Sequence, residues 1–148
     1  MVLYRVVSHK KNARLNGRGA AHSKVNRWNS YGTELIYTSE SRELAISEVS
    51  SYVPIGLLPD PHLLVIEVDS KALIKEMEEY EYPNNWDEVQ PNDRTRILGD
   101  QFYNKGKCIG LKVKSRHSSS ACGNVLLNPN HPDFSKLVSI KEVITLIK

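Results

Sequence analysis

Residues 34–52 read ELIYTSESRELAISEVSSY. The first five, Glu34 to Thr38, are branched and aromatic enough for a short strand. Ser39 then stands as a helix N-cap, with Glu40 and Glu43 where the positive end of a helix dipole favours acids. Beyond it Leu44, Ala45, Glu48, Val49 and Tyr52 recur at i, i+1, i+4, i+5 and i+8, the spacing of one helical face, while Arg42, Glu43, Ser47, Ser50 and Ser51 fall mostly elsewhere. A strand therefore feeds directly into a helix whose inward stripe carries a carboxylate. An ionised Glu48 on an apolar face costs free energy unless something pairs with it. Two readings stay open: a boundary position that reaches water or a basic side chain, or one wall of a site.

Working outward, Val2 to Val7 has strand composition, and His9 to Thr33 is polar, basic and glycine-containing with no sustained period. A loop of that length is either functional or loose. PIGLLPDPH, residues 54–62, is a proline-broken connection to the apolar run Leu63 to Val68, a buried strand. Ser70 to Tyr80 reads as a short charged helix, and Pro83 to Pro91 as a turn-rich link anchored by Trp86. Asp93 to Asn104 is helical and ends near Gly106. Ile109 to Val113 and Asn124 to Leu127 are strands around a serine-rich loop, and Leu137 to Ile147 is a final strand or short helix. Strands outnumber helices without alternating regularly with them, which predicts an α+β fold over a doubly wound sheet.

The chain has 148 residues, the usual size of one domain, so residues 1–148 are read as a single unit. With 40% hydrophobic and 25% charged residues it has the composition of a folded globular protein. A net charge of +3 is too small to describe a nucleic-acid surface by itself and suits a small anionic ligand equally well. Cys108 and Cys122 lie in no CxxC pattern, and two thiols are too few for a disulfide-stapled scaffold. MVLYRVVSHKK places its short apolar run ahead of its basic residues, the reverse of a signal peptide, and no apolar run approaches the ~20 residues that span a bilayer. The expected location is the cytoplasm, with no membrane partner.

Among residues able to carry chemistry, Arg27 with Trp28 and Asn29 closes the long loop, beside Gly17-Arg18-Gly19. Glycines let backbone amides approach a phosphate, and a guanidinium fork matches phosphate oxygens in pairs. A flexible surface loop with solvated arginines explains the same residues. Tyr37 is either core filler or a platform for a flat heterocycle. His9, His22, His62, His117 and His131 are scattered, without the spacing of a zinc site, so no metal is expected. Nucleophilic catalysis by Cys122 or by a serine of Ser118 to Ser120 lacks a positioned base other than the adjacent His117. In NVLLNPNHPDF, residues 124–134, the Asn128-Pro129 and His131-Pro132 pairs make a rigid turn that can also place Asn124 or Asn128 against a ligand.

Taken together, Arg5, LNGRGAAHSKVNRWNSYG, LIYTS, ELAISEVS, the V-K-S of residues 113–115 and NVLLNPNHPDF resemble the RES-domain family of bacterial toxins, from about Tyr4 to Phe134. The resemblance implies a fold like that of ADP-ribosyltransferases of the diphtheria-toxin type, with a mostly antiparallel or mixed β core. It implies a toxin that consumes NAD⁺ as substrate by cleaving the nicotinamide–ribose bond, through hydrolysis, phosphorolysis or ADP-ribosyl transfer. It also implies a cognate Xre-type helix-turn-helix antitoxin.

Carried over by position, Arg27 is the family arginine, Tyr37 the aromatic of the nicotinamide pocket and Glu48 the family glutamate. Ser115 is the family serine, with Ser118, Ser119 and Ser120 as alternatives, because V-K-S stands where V-P-S is usual and its distance to Asn124 is about one residue longer. Trp28 and Asn124 complete the substrate-binding set. Val25-Asn26 stands where two glycines are common, which stiffens the loop there. The competing reading is a nucleic-acid-binding module or ribonuclease that uses Lys10, Lys11, Arg14 and Arg18. A homodimer is expected if Leu137 to Ile147 leaves apolar surface exposed.

Overall fold

A computed structural model describes residues 1–119 and 121–146. Seven strands form one sheet: β1 (Val2–Val7), β2 (Ile36–Ser39), β3 (His62–Val68), β4 (Ile74–Glu76), β5 (Gly110–Val113), β6 (Asn124–Leu127) and β7 (Val138–Thr145). Their order is β4-β5-β6-β2-β1-β3-β7, with β4 and β5 parallel and every other pair antiparallel. Four helices accompany them: α1 (Arg18–Ala21), α2 (Arg42–Ser50), α3 (Asp93–Lys105) and α4 (Phe134–Leu137). The α+β class and the mixed sheet agree with the sequence reading.

Period-2 alternation divides the core between the two faces of the sheet. Leu64, Ile66 and Val68 of β3 join Val125 and Leu127 of β6 in one cluster, closed by Phe134 of α4. Leu126 turns the other way, toward Trp28, Leu111, Val113 and Phe102 of α3, and Leu63 packs on Val6 and on Ala45 of α2. β3 is thus apolar on both sides because both are covered.

Four expectations shift. The cap of α2 is Ser41, whose hydroxyl accepts from the Leu44 amide at 3.1 Å, and Ser39 is instead the buried last residue of β2. Glu40 consequently leaves the first helical turn and pairs with Lys112 at 3.1 Å, and it accepts from the Gly123 amide at 2.8 Å. Ser70 to Tyr80 is not a helix: Ile74–Glu76 pairs with β5, and Gly110 has no side chain where a Cβ would lie 2.6 Å from Ile74 Cδ1. A glycine partner that admits an isoleucine gives three residues a place in the sheet, which a charged segment with few apolar positions does not gain as a helix. Residues 137–147 divide, since α4 ends at Leu137 and β7 begins at Val138, while Ile147 lies outside the described residues.

The α3 assignment holds to within a residue, with Asn92 as N-cap and Gly106 as a left-handed C-cap at φ 61°. Residues 9–33 stay largely irregular, with one 3₁₀ turn at Lys10–Asn12 and the single turn of α1. Among the described residues no helix is long and apolar enough to cross a membrane.

Candidate active site

A cleft of about 430 Å³ opens where α2, β1, β2 and β6 meet the loops at 25–28 and 114–117. Ala45, buried against Val6 and Leu63, fixes the rotation of α2 on the sheet. One turn later the same face presents half-buried Glu48 and Val49 to the cleft. The stripe read from the sequence is real, though Tyr52 at its end is 77% exposed and serves the mouth of the cleft rather than the core.

Glu48 is held by side chains from two other elements. Its Oε1 accepts from the Ser115 hydroxyl and, at 2.9 Å, from Asn124 Nδ2. Asn124 is oriented in turn, because its Oδ1 accepts from the Ser39 hydroxyl at 2.8 Å. That contact follows from register: antiparallel pairing of β2 and β6 sets Ser39 directly opposite Asn124. The Ser115 oxygen accepts from the His117 amide at 3.0 Å, which leaves its proton for Glu48. Among the described residues nothing is hydrogen-bonded to Oε2, so one carboxylate oxygen is free to meet a ligand.

The facing wall is built from residues 26–30. Asn29 is fully buried, and its Nδ2 donates to the carbonyls of Ala20, Ser30 and Thr33 at 3.0–3.2 Å while its Oδ1 accepts from the Tyr37 hydroxyl at 2.7 Å. The Tyr37 oxygen also accepts from the Trp28 amide at 3.0 Å, and Arg5 Nη1 donates to the Tyr37 carbonyl at 2.9 Å. Burial pushes the Tyr37 phenol above the usual tyrosine range, against the opposing pull of the Trp28 amide. Trp28 borders the cleft, but its indole is only 3% exposed and packs on Tyr82 and Trp86.

Arg27 Nη1 and Nη2 each donate at 2.7 Å, to the carbonyls of Trp86 and Glu88. Partial burial, and then the neighbouring Arg116, lower its pKa from the ordinary guanidinium value. Helix α3 braces this segment. Thr95 donates to the Arg27 carbonyl, Arg96 Nε to the Asn26 carbonyl at 2.9 Å, and Asp100 accepts from the Ser30 amide at 3.0 Å. Gly99 faces the same strip, where any Cβ would overlap the Trp28 carbonyl.

All six residues singled out for the site, Arg27, Trp28, Tyr37, Glu48, Ser115 and Asn124, line this one cleft. Of the described candidate serines, Ser115 is the one that lines it, and Ser120 lies outside the described residues. Asn128 belongs elsewhere: its side chain bridges the Tyr103 carbonyl and the Asn130 amide, the rigid-turn reading of its segment. Sequence reasoning missed Ser39 as a support of Asn124 and missed the bracing by Thr95, Arg96, Gly99 and Asp100. The four α3 positions carry no local signal, since they act through a loop about seventy residues away.

The RES domain model matches residues 2–147. The chain belongs to the RES-domain family. Among RES relatives, the chain is 30% identical over 141 residues to the protein named Toxin Res of Photorhabdus laumondii, spanning 94% of this chain and 88% of the relative. It is 34% identical over 125 residues to the Prs ADP-ribosylating toxin of a Sphingobium species, covering 80% and 74%. A chain in the crystal structure of the M. tuberculosis MbcT–MbcA toxin–antitoxin complex shares the fold, with a TM-score of 0.76 at 16% identity over 98% of this chain and 83% of that one.

Proposed function

We propose that this RES-domain chain is a toxin that consumes NAD⁺ by breaking its nicotinamide–ribose bond. The observation that carries the reading is Glu48, fixed through one oxygen by Ser115 and Asn124 with the other open to a cleft that also presents Tyr37 and Arg27. In that bond cleavage the electron pair of the C1′–N1 bond goes to the pyridinium nitrogen. Nicotinamide leaves neutral and positive charge develops on the ribose. A carboxylate beside the anomeric carbon and the ribose hydroxyls stabilises that charge as it forms. Two donors on Oε1 hold the carboxylate in place, so little reorganisation is needed at the moment of reaction.

Tyr37 takes the nicotinamide ring by stacking, with its hydroxyl anchored so that the aromatic face stays aimed. Arg27 shapes the cleft and supplies positive charge there, and Ser115 and Asn124 position Glu48. Trp28 acts on the substrate through Arg27 and Tyr37, whose placement depends on its backbone amide and on its packing. Water, phosphate or a protein side chain then bonds to C1′ and loses its proton to solvent or a base. The names of the two relatives support a toxin, and that of the Sphingobium relative supports ADP-ribosyl chemistry.

The partner reading is an Xre-type helix-turn-helix antitoxin that covers this cleft, supported by the toxin–antitoxin complex in which the fold recurs. A second copy joining at the β7 edge is the expectation for self-association, read from the mass of the purified protein in solution. The cytoplasm is the compartment where NAD⁺ and such an antitoxin meet the chain. A nucleic-acid-binding role for the basic loop is not favoured, because the family and the carboxylate-centred cleft both point to a small substrate.

The test is incubation with NAD⁺, with and without phosphate and with cell extract, following nicotinamide and the ADP-ribose product by mass. Release of nicotinamide that disappears in Glu48→Gln is the expected result. The mass of the product identifies the acceptor. Absence of release under every condition would overturn the reading.

A further inference from the structure

A second cavity, of about 540 Å³, adjoins the cleft and shares Arg5, Val6, Gly19, Val49 and Leu58 with it. Arg5, Lys11, Arg14 and Arg18 line it, and no carboxylate does. Among the described residues none of the Lys11, Arg14 and Arg18 side chains forms an ion pair. Like charges gathered around one concavity repel each other and raise the free energy of the empty state, a cost that an anion relieves. Neutral Ser8, Asn12 and Asn16 line the rest of the polar surface.

The arginine first expected to grip phosphate is otherwise engaged. Nη1 and Nη2 of Arg27 each donate to a carbonyl, those of Trp86 and Glu88, which ties its head group to residues 86–88 and takes two of its five N–H donors. Gly19 borders both cavities, and beyond its own helix and chain neighbours no atom lies within 4 Å of where its Cβ would stand. Gly17 has φ 68° and could bear no side chain without meeting the Glu34 backbone at 2.9 Å. Gly17 therefore makes the left-handed turn that starts α1 at the cavity, and Gly19 adds no side chain to its rim.

We propose that the second cavity is a phosphate-binding subsite continuous with the cleft, in which Arg5, Lys11, Arg14 and Arg18 take a phosphate or diphosphate group. This rests on the reading of the cleft as an NAD⁺ site. The group is either the diphosphate of the dinucleotide itself or a free phosphate that accepts the ribosyl unit. Arg5 lies at the junction, with one nitrogen on the Tyr37 carbonyl and its remaining donors available to the anion.

The test is the combined variant Lys11→Gln, Arg14→Gln and Arg18→Gln, which spares Arg5 because of its bond to Tyr37. Calorimetric titration with inorganic pyrophosphate, ADP-ribose and nicotinamide is run beside the native chain, with thermal melting as the check on folding. Loss of charge-assisted bonds lowers pyrophosphate and ADP-ribose affinity by roughly tenfold or more and leaves nicotinamide affinity unchanged. Rising salt weakens pyrophosphate binding in the native chain and much less in the variant. If the phosphates are those of the dinucleotide, KM for NAD⁺ rises. If a free phosphate is the acceptor, KM for NAD⁺ holds and stimulation by added phosphate is lost.

A variant that binds pyrophosphate and ADP-ribose as tightly as the native chain overturns the proposal. So does the same loss produced instead by Arg116→Gln, which would place the anion at the other end of the cleft. A native chain that binds pyrophosphate in this cavity but cleaves no NAD⁺ keeps the subsite and removes the enzymatic reading.

Discussion

The two walls of the cleft are made in different ways. The Glu48 wall rests on regular structure: a capped helix packed on β1 and β2, and a side-chain chain from Ser39 through Asn124 set by strand register. The Arg27 wall is irregular chain, held by side chains that bond to backbone, with Asn29 inside it and Thr95, Arg96 and Asp100 outside. Elements of a sheet hold position whether or not one polar side chain is removed. A loop fixed by such bonds loses its path when one of them goes, because every buried carbonyl and amide must keep a partner. Substitutions on the first wall should therefore separate chemistry from folding, and substitutions on the second should not.

The largest expected effect is on the first wall. Glu48→Gln keeps the size and one acceptor oxygen for Ser115 and Asn124 but removes the charge facing the ribose, so kcat for NAD⁺ cleavage falls by about a hundred- to a thousandfold. The midpoint of thermal unfolding stays within a few degrees of the native chain. A large fall in that midpoint would break the comparison, since Glu48 would then be holding the fold. On the second wall, Gly99→Ala forces a methyl group against the Trp28 carbonyl, where the neighbour is backbone and cannot swing aside. Overpacking of this kind costs about 1–3 kcal/mol, read by denaturant unfolding, and activity falls with it because Arg27 and Tyr37 move together.

The same contrast sets what the sequence could reveal. Glu48 and the helix beneath it are legible because an amphipathic stripe is a local pattern, and a charge on that stripe stands out within nine residues. β3 and α3 are legible for similar reasons, through an unbroken apolar run and through Asn92 and Gly106 at the ends of the helix. β4 is not, since its strand state depends on Gly110, about thirty-five residues away, leaving room for Ile74. The cap of α2 was misplaced by two residues because Ser39 and Ser41 are equally good caps in isolation. Pairing with β6 decides between them by drawing Ser39 into the sheet. Asn29 was visible as part of a motif, but its four hydrogen bonds were not, because they depend on the folded path of residues 20–37.

A smaller effect sharpens the first wall further. Ser115→Ala removes one of two donors to Glu48 and leaves the His117 amide without its acceptor. Asn124 still holds the carboxylate, so kcat falls by roughly tenfold rather than a hundredfold or more, as befits the loss of one charge-assisted bond. KM for NAD⁺ changes less, because Ser115 acts through Glu48. A loss as large as that of Glu48→Gln would mean that the serine itself touches the reacting atoms.

The smallest effect tests the second wall by pH. Tyr37→Phe removes the hydroxyl that joins the Trp28 amide to Asn29, leaving a buried donor and a buried acceptor unpaired, at a cost of about 1–3 kcal/mol near neutral pH. The native phenol has its pKa raised by burial, so its folded value lies above the unfolded value of about 10. For a group shifted in that direction the stabilising contribution is whole below the unfolded pKa and is lost as pH climbs toward the folded one, because the unfolded chain ionises first. The stability difference between native chain and variant should therefore be constant from about pH 6 to 9 and narrow above about pH 10, where only the native chain carries this penalty. Denaturant unfolding across that range measures it. A difference that stays constant above about pH 10 would mean that the phenol ionises in the folded state at its ordinary value. The wall around Asn29 would then be open to water, and the contrast between the two walls would be one of exposure rather than of construction.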